Sequence, residues 1–489
     1  MSTGPAVSDL VSDREPSWSV PSRGPETDAE GVEGARLRAA TARRFPRLSR
    51  RTALVTVTFL LCAMTLALAY ANKARCAGAP FYSDGRSTSF DVVKDSDVCY
   101  SDIQFLWLGR EIDQHVFPYI HGGITADGGL TGGAVEYPVL SGLLMWLGGI
   151  GADNDAEFLL HSALLLAPFA LLTAVLLVLL AGRTALLWAA GPPLVLYGFH
   201  NWELPVVCTA VAAVYVVIST RYSVRTRGVL AAILLGLGFC LKVYPGIFVL
   251  PLLAFVLTSD RKGRGLDVRG AMLTLGAAVG TVVAVNLPFL LAGYEGWRAS
   301  ITFQQMRTAD ITTNSIWYWG LRRLFGADYA SEVSFQQLVS FASPTLMLAA
   351  FAVALWLGWK RCQETGVYPW VGVSGAMLCG FMLLHKVHSP QYTLWLLPFL
   401  VLLEVPWPVI GAYLLADAAI GIGVFRYFHA LATGRWVEIS ESVVQFGVWG
   451  RAILLGLLFF LFLRSGLRGA RPEPPAVPRY APGTLVPAG

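Results

Sequence analysis

Apolar residues run through this chain in blocks of about 15–23 residues, without period-2 alternation, and charge, glycine or proline closes each block. The first block covers 53–71. A polar stretch from 72 to 157 follows, the longest hydrophilic interruption in the apolar part of the chain. Later blocks cover 158–181, 184–199, 204–219, 228–241, 244–257, 270–292, 341–359, 368–384, 392–403, 406–424 and 447–463. Each predicts a membrane-crossing or membrane-buried helix, so the fold class is all-α, a polytopic transmembrane bundle. An outer-membrane barrel would alternate apolar and polar residues, and these blocks do not.

Lysine and arginine sort the connections into two sets. The basic set holds Arg183, 221–227, Arg261-Lys262-Gly263-Arg264, Lys360-Arg361 and the arginines from Arg464 to Arg471, with seven arginines at 36–51 before the first block. The positive-inside rule assigns this set to the cytoplasm. The count then closes with both termini inside and about twelve spans, provided the short, Gly-rich 138–150 is re-entrant or interfacial. Ala67-Leu68-Ala69 has the form of a signal-peptidase site, but the polar leader is too long for a signal peptide and the block is long enough to span. The other set of connections falls outside. It contains His200-Asn201-Trp202-Glu203, Lys242-Val243-Tyr244-Pro245, 294–340, 385–392 and Arg426-Tyr427-Phe428-His429. Ionisable and aromatic residues thus collect on one side, beside 72–157.

Composition sharpens this picture. The chain is 55% hydrophobic and 14% charged, with mean hydropathy +0.56, which places it with integral membrane proteins. Its net charge of +5 sits at block ends as an orientation signal, so no nucleic-acid partner is expected. Residues 1–52, acidic then basic, and 465–489 read as disordered cytoplasmic tails around a membrane domain at 53–464. Of the cysteines, only Cys76 and Cys99 share a polar loop, and outside the cytoplasm they could pair.

The loop 72–157 crowds Asp84, Asp91, Asp95, Asp97, Asp102, Glu111 and Asp113 and closes on Glu136-Tyr137-Pro138. A carboxylate near a reacting carbon can take the proton of an acceptor hydroxyl. Asp102 is the first candidate, with Asp97, Asp95 and Glu136 as rivals. Asp95-Ser96-Asp97 has a metal-holding D-x-D spacing, a string also common by chance, and no metal or other cofactor is expected. Glu136 and Tyr137 are either an interfacial cap or part of a substrate pocket. Asn201 and Trp202 form a polar turn or a sugar-binding pair, an amide for hydroxyls and a ring for a pyranose face. Lys242 either snorkels or faces a lipid-linked phosphate, and Arg307 and Arg426 could serve likewise. His385, Lys386 and His388 are three potential cations before Ser389-Pro390-Gln391-Tyr392. Asn314-Ser315-Ile316-Trp317 lies in a strongly aromatic loop that could form a belt or close over a site.

The stretches 99–103, 136–140, 201–204, 242–245 with Leu250-Pro251, 314–317, and 386–392 with Trp395 and Pro398 resemble the actinobacterial integral-membrane glycosyltransferases of family 87, which depend on polyprenyl-phosphomannose. The resemblance spans roughly 53–463. Lys-x-Tyr-Pro and Lys-Val-x-Ser-Pro-Gln-Tyr are its most specific motifs. It implies the C-type glycosyltransferase (GT-C) superfold, an extracytoplasmic active site in the plasma membrane, a polyprenyl-phosphate sugar donor and inversion at the anomeric carbon. It also implies an aspartate base where Asp102 stands. The family's usual Tyr-Pro-Pro reads Tyr137-Pro138-Val139 here, and its usual Gly-Gln reads Asn201-Trp202, so the acceptor stays open.

The resulting expectation is a hexosyltransferase, foremost a mannosyltransferase, acting on a lipid or glycan acceptor of the cell envelope. Asp102 is the base. Lys242, Arg307, Lys386 and His388 hold donor phosphate, and Glu136, Tyr137, Asn201, Trp202, Tyr244, Asn314 and Gln391 bind substrate. A multi-pass transporter or lipid flippase would share the topology. However, transporters are often built from two matching halves, and the long first polar loop has no counterpart here.

Overall fold

The computed structural model describes residues 49–219, 221–259 and 265–468. The chain divides into two units, 1–50 and 51–489. The tails at 1–48 and 469–489 and the basic stretch 261–264 lie outside the described residues, and with them most of the expectation of disordered termini.

The architecture is nearly all helical. In chain order the principal helices are α1 (Arg50–Ala74), α2 (Asp102–Gly109), α3 (Val139–Gly149), α4 (Asp155–Ala181), α5 (Glu203–Ile218), α6 (Val224–Leu241), α7 (Val249–Leu257), α8 (Val268–Ala292), α9 (Tyr294–Met306), α10 (Tyr329–Thr365), α11 (Trp370–Leu384), α12 (Thr393–Leu402), α13 (Trp407–Thr433) and α14 (Val437–Arg464). One small hairpin pairs β1 (Gly123–Ile124) with β2 (Leu130–Thr131) inside the first polar loop. Among the described residues, seven helices are long and apolar enough to cross a membrane: α1, α4 with its continuation to Ala189, α6, α8, α10, α13 and α14. Five shorter apolar segments pack among them. This is the build of a multi-pass membrane protein. Only 6% of the apolar window of α8 is buried inside the protein. In water that surface would be a liability, and in a bilayer it is ordinary lipid contact.

The local causes are visible. Asn154 caps α4 by accepting from the Glu157 N–H at 2.9 Å, and Asp328 caps α10 through Ser331. Gly366, at φ +75°, ends α10 in the left-handed conformation that glycine adopts without penalty. α3 has 11 residues and so rises only about 16 Å, half of a bilayer core.

Three boundaries differ from the expectation. The block 184–199 is not one helix: it breaks into Gly182–Ala185, Leu186–Ala189 and Pro192–Tyr197. Pro192 and Pro193 lack amide hydrogens, so a continuous ladder cannot pass them, and they start a new helix instead. The block expected to begin at 341 begins earlier, because α10 starts at Tyr329, inside the outer connection 294–340, whose start is taken by α9. Finally, α1 begins at Arg50, inside the stretch read as tail.

The core sits where α4, α5, α6, α11, α12 and α14 meet. α13 and α14 pack along each other. A Cβ on Gly447 would lie 2.5 Å from Ile420 Cγ1 and 3.0 Å from the Ala416 carbonyl oxygen, so glycine there lets the two backbones approach.

Candidate functional site

The site begins with the anchoring of 99–102. Cys76 and Cys99 form a disulfide with Cα atoms 5.7 Å apart, which ties this strip to the end of α1. Lys73, buried in α1, donates to the Tyr100 carbonyl at 2.8 Å. Ser101 is the N-cap of α2: its Oγ accepts from the Ile103 N–H and donates to the Phe199 carbonyl at 2.7 Å. The Asp102 N–H donates to the His200 carbonyl at 2.8 Å. Two turns nearly a hundred residues apart in sequence are therefore joined through their backbones.

The Asp102 carboxylate is held from both sides. The Tyr100 hydroxyl donates to Oδ1 at 2.9 Å, and the Asn201 side-chain amide donates to Oδ2 at 2.7 Å. His200 Nε2 stands 3.9 Å from Oδ2. Burial pushes the His200 pKa down to about 4 against the pull of Asp102, so this ring is neutral near pH 7. Burial also drives the Tyr100 hydroxyl well above its ordinary range, with the Asp102 charge as the second cause, so it stays a donor. The Asp102 side chain is 22% exposed. Each carboxylate oxygen has a second lone pair, so the group can still accept a proton.

Asn201 links this carboxylate to the rest. Its Nδ2 also donates to the Tyr137 hydroxyl at 2.7 Å, and its Oδ1 accepts from the Trp202 N–H at 2.6 Å and from Lys242 Nζ at 3.4 Å. Lys242 forms a tight ion pair with Glu203, whose side chain is fully buried. The second Glu203 oxygen accepts from Trp395 Nε1. The ammonium also sits 5.2, 5.6 and 6.0 Å from the ring centres of Tyr137, Trp395 and Tyr392. Tyr392 stacks on Trp395 at 3.8 Å, and Trp395 on Tyr244 at 4.2 Å. Polar residues from five separate turns thus meet at one place.

The structure places the sequence candidates unevenly. Asp102, Tyr137, Asn201, Lys242 and Tyr244 share this network. Lys242, expected either to snorkel or to face a lipid-linked phosphate, pairs with Glu203 in this structure. Trp202 is 1% exposed, and its ring tilts against Tyr137 and Phe158, so it is core packing rather than an open sugar platform. Glu136 pairs with Arg110 at 2.5 Å, while its carbonyl accepts from Gln304, so its carboxylate is engaged. Asp95 pairs with Lys94 at 2.8 Å. Among the described residues, no three of His, Cys, Asp and Glu converge as a metal set.

On a second side, Lys386 Nζ donates to the Gln305 carbonyl at 3.2 Å. Partial burial and the nearby Arg307 charge lower its pKa. Lys386 thus reaches the strip that ends in Arg307 and feels its charge, and two neighbouring cations suit an anion. Tyr392 lies within electrostatic reach of both Arg307 and Asp102. His388 differs from its reading as a cation. It is fully buried, and Nδ1 faces the Met382 carbonyl at 3.1 Å. A carbonyl only accepts, so Nδ1 carries the proton, and burial together with the Arg451 charge keeps the ring neutral. Asn314 and Gln391 are buried in the turns beneath, 2% and 3% exposed.

Tyr100, Glu203, Tyr392 and Trp395 belong to the network although sequence reasoning assigned them no role. Glu203 closes the motif that supplied Asn201, and an acid at the head of an apolar block was the signal available.

No family model, no curated protein and no solved structure matches the chain.

Proposed function

We propose that this protein is an integral-membrane glycosyltransferase that moves a hexose, foremost mannose, from a polyprenyl-phosphate sugar to a hydroxyl of a cell-envelope glycolipid or glycan. The observation that carries this reading is the Asp102 carboxylate, oriented by Tyr100 and Asn201 yet open to a ligand. Such a group can take the acceptor proton as its oxygen attacks the anomeric carbon. The bond to the phosphate oxygen breaks on the opposite side, and the configuration inverts.

Arg307 and Lys386 are the groups we assign to the leaving phosphate, because they are neighbouring cations that pair with no carboxylate among the described residues. Tyr137 and Tyr392, both only partly buried, are the rings of the network we assign to the sugar, while Tyr244 and Trp395 stack beneath as buried support. In this reading the site faces away from the cytoplasm. α6 supports such a polarity, since Arg225 near its start and Lys242 at its end are separated by the helix length, about 25 Å.

The test is transfer by purified protein in lipid nanodiscs, with radiolabelled polyprenyl-phosphomannose and an envelope lipid extract as acceptor. Label appearing in a new glycolipid with wild type and not with Asp102→Asn supports the reading. Movement of intact lipid between leaflets without any glycosidic bond would favour the flippase instead.

A further inference from the structure

Two opposite charges lie inside the last two helices, outside the network around Asp102. Asp417 on α13 is 1% exposed and Arg451 on α14 is 2% exposed. Charges at membrane depth are costly, and replacing a buried pair with apolar residues is often neutral or stabilising. Stability alone is therefore a poor reason for this pair. It also does not form a direct ion pair among the described residues, so each charge has other work.

Asp417 holds the roots of two site turns. Its Oδ2 accepts from the Tyr197 hydroxyl at 3.1 Å, three residues before His200 and four before Asn201. Its Oδ1 accepts from the Thr393 hydroxyl, directly after Tyr392. Thr393 in turn accepts from the Tyr413 hydroxyl at 3.1 Å. Glycine is required for this reach: a Cβ on Gly421 would sit 2.0 Å from the Tyr197 hydroxyl oxygen.

Arg451 holds a third turn. Its Nη2 donates to the Asn314 carbonyl at 2.9 Å, where Asn314 adopts a left-handed φ of +48°. The neighbouring Thr313 carbonyl accepts from the His388 N–H at 2.7 Å, which ties the Asn314 turn to the Lys386–Tyr392 strip. Trp317 Nε1 adds a bond to the Leu384 carbonyl at 2.8 Å. The Arg451 Nε and Nη1 atoms find no acceptor among the described residues, so the Asn314 carbonyl is the contact through which this guanidinium acts.

We propose that Asp417 and Arg451 are positioning residues that hold the 197–201, 313–314 and 388–393 turns in register, so that Arg307 and Lys386 present one anion site to the donor phosphate. The proposal rests on the glycosyltransferase reading for the identity of that anion. Neither residue touches substrate. Arg451 acts on donor affinity through the 313–314 and 388–393 turns, while Asp417, through the 197–201 turn, also bears on the Asn201 amide that orients Asp102.

The test measures binding of undecaprenyl phosphate, and KM and kcat for the polyprenyl-phosphate sugar, on full-length protein in nanodiscs. Arg451→Met should weaken phosphate binding and raise KM by ~10-fold, with kcat changed much less, as expected for loss of a charged hydrogen bond that orders a binding turn. Arg451→Lys should restore part of that loss. Tyr197→Phe and Thr393→Val leave every charge in place and serve if Arg451→Met fails to fold. Both should raise KM ~3–10-fold when compared at equal amounts of folded protein. Unchanged affinity and KM in these variants overturns the proposal, as does a loss that only tracks the amount of folded protein. Wild-type protein that binds no undecaprenyl phosphate overturns the donor site itself, a result distinct from equal binding by wild type and variants.

Discussion

The Asn201 side-chain amide stands between Asp102 and Lys242: Nδ2 donates to the Asp102 carboxylate at 2.7 Å, and Oδ1 accepts from Lys242 Nζ at 3.4 Å. The ion pair of Lys242 with Glu203 is therefore one bond removed from the candidate base. A change in that pair reaches Asp102 by turning the amide, without any contact between Lys242 and a substrate. Asn201→Ala should accordingly cost kcat as well as KM. Loss of an orienting hydrogen bond to a charged group predicts a decrease in kcat/KM of ~10–100-fold, read from steady-state transfer assays.

The Lys242–Glu203 pair itself makes a sharper prediction. Lys242→Ala strands a carboxylate that is fully buried, and breaking a buried pair from one side costs ~3–5 kcal/mol. The double variant Lys242→Met with Glu203→Gln removes both charges and keeps an acceptor for Trp395. It should regain most of the lost thermal stability in nanodiscs. If the single and double variants melt alike, the pair is not the element that holds this corner.

Acid should destabilise the site before it unfolds the bundle. Burial keeps His200 neutral, with its pKa lowered to about 4 from 6.5. The unfolded chain takes up a proton there first, so the stabilising contribution is complete above about pH 6.5 and falls away as pH drops toward about 4. Melting temperature against pH should decline across that window. His200→Gln should flatten the decline, and an unchanged slope in that variant would remove His200 as its source.

The Cys76–Cys99 bridge closes a loop with a sequence separation of 23. A loop of that size is worth ~3 kcal/mol through the unfolded state. Cys99→Ser should lower the melting temperature and loosen Tyr100, the residue that follows the bridge and donates to Asp102. Alkylation followed by mass measurement should show both thiols blocked in oxidised membranes and free after reduction.

How much of this was legible in the chain depends on range. The apolar blocks announced the helices because a bilayer demands length and internally satisfied backbone, and the polar turns stood out against them. The convergence of Asp102, Tyr137, Asn201 and Lys242 followed from sorting those turns by arginine and lysine alone. Long-range pairing was not legible. Lys242 meets Glu203 from 39 residues away, and Arg110 meets Glu136 from 26. The sequence alone presents Lys242 as a snorkelling or phosphate-facing cation and Glu136 as a cap, a pocket residue or a rival base, with neither partner in view. Asp417 and Arg451 were hidden differently, as lone charges inside the blocks 406–424 and 447–463. Their position at membrane depth was the available signal, and only the packing of α13 on α14 explains it. The block 184–199 failed for a local reason: averaged hydropathy passes over Pro192-Pro193 among their apolar neighbours, whereas the backbone reads them as a break.

The most direct measurement is single-turnover transfer from polyprenyl-phosphomannose by Asp102→Asn beside wild type, with undecaprenyl phosphate affinity measured on the same preparations. Asparagine keeps the shape and can still accept from Tyr100, but it has no basic lone pair. The rate of sugar transfer should fall by ~10²–10⁴-fold while phosphate affinity and melting temperature stay within about twofold and a few degrees of wild type. An Asp102→Asn protein that transfers at near-wild-type rate contradicts Asp102 as the base.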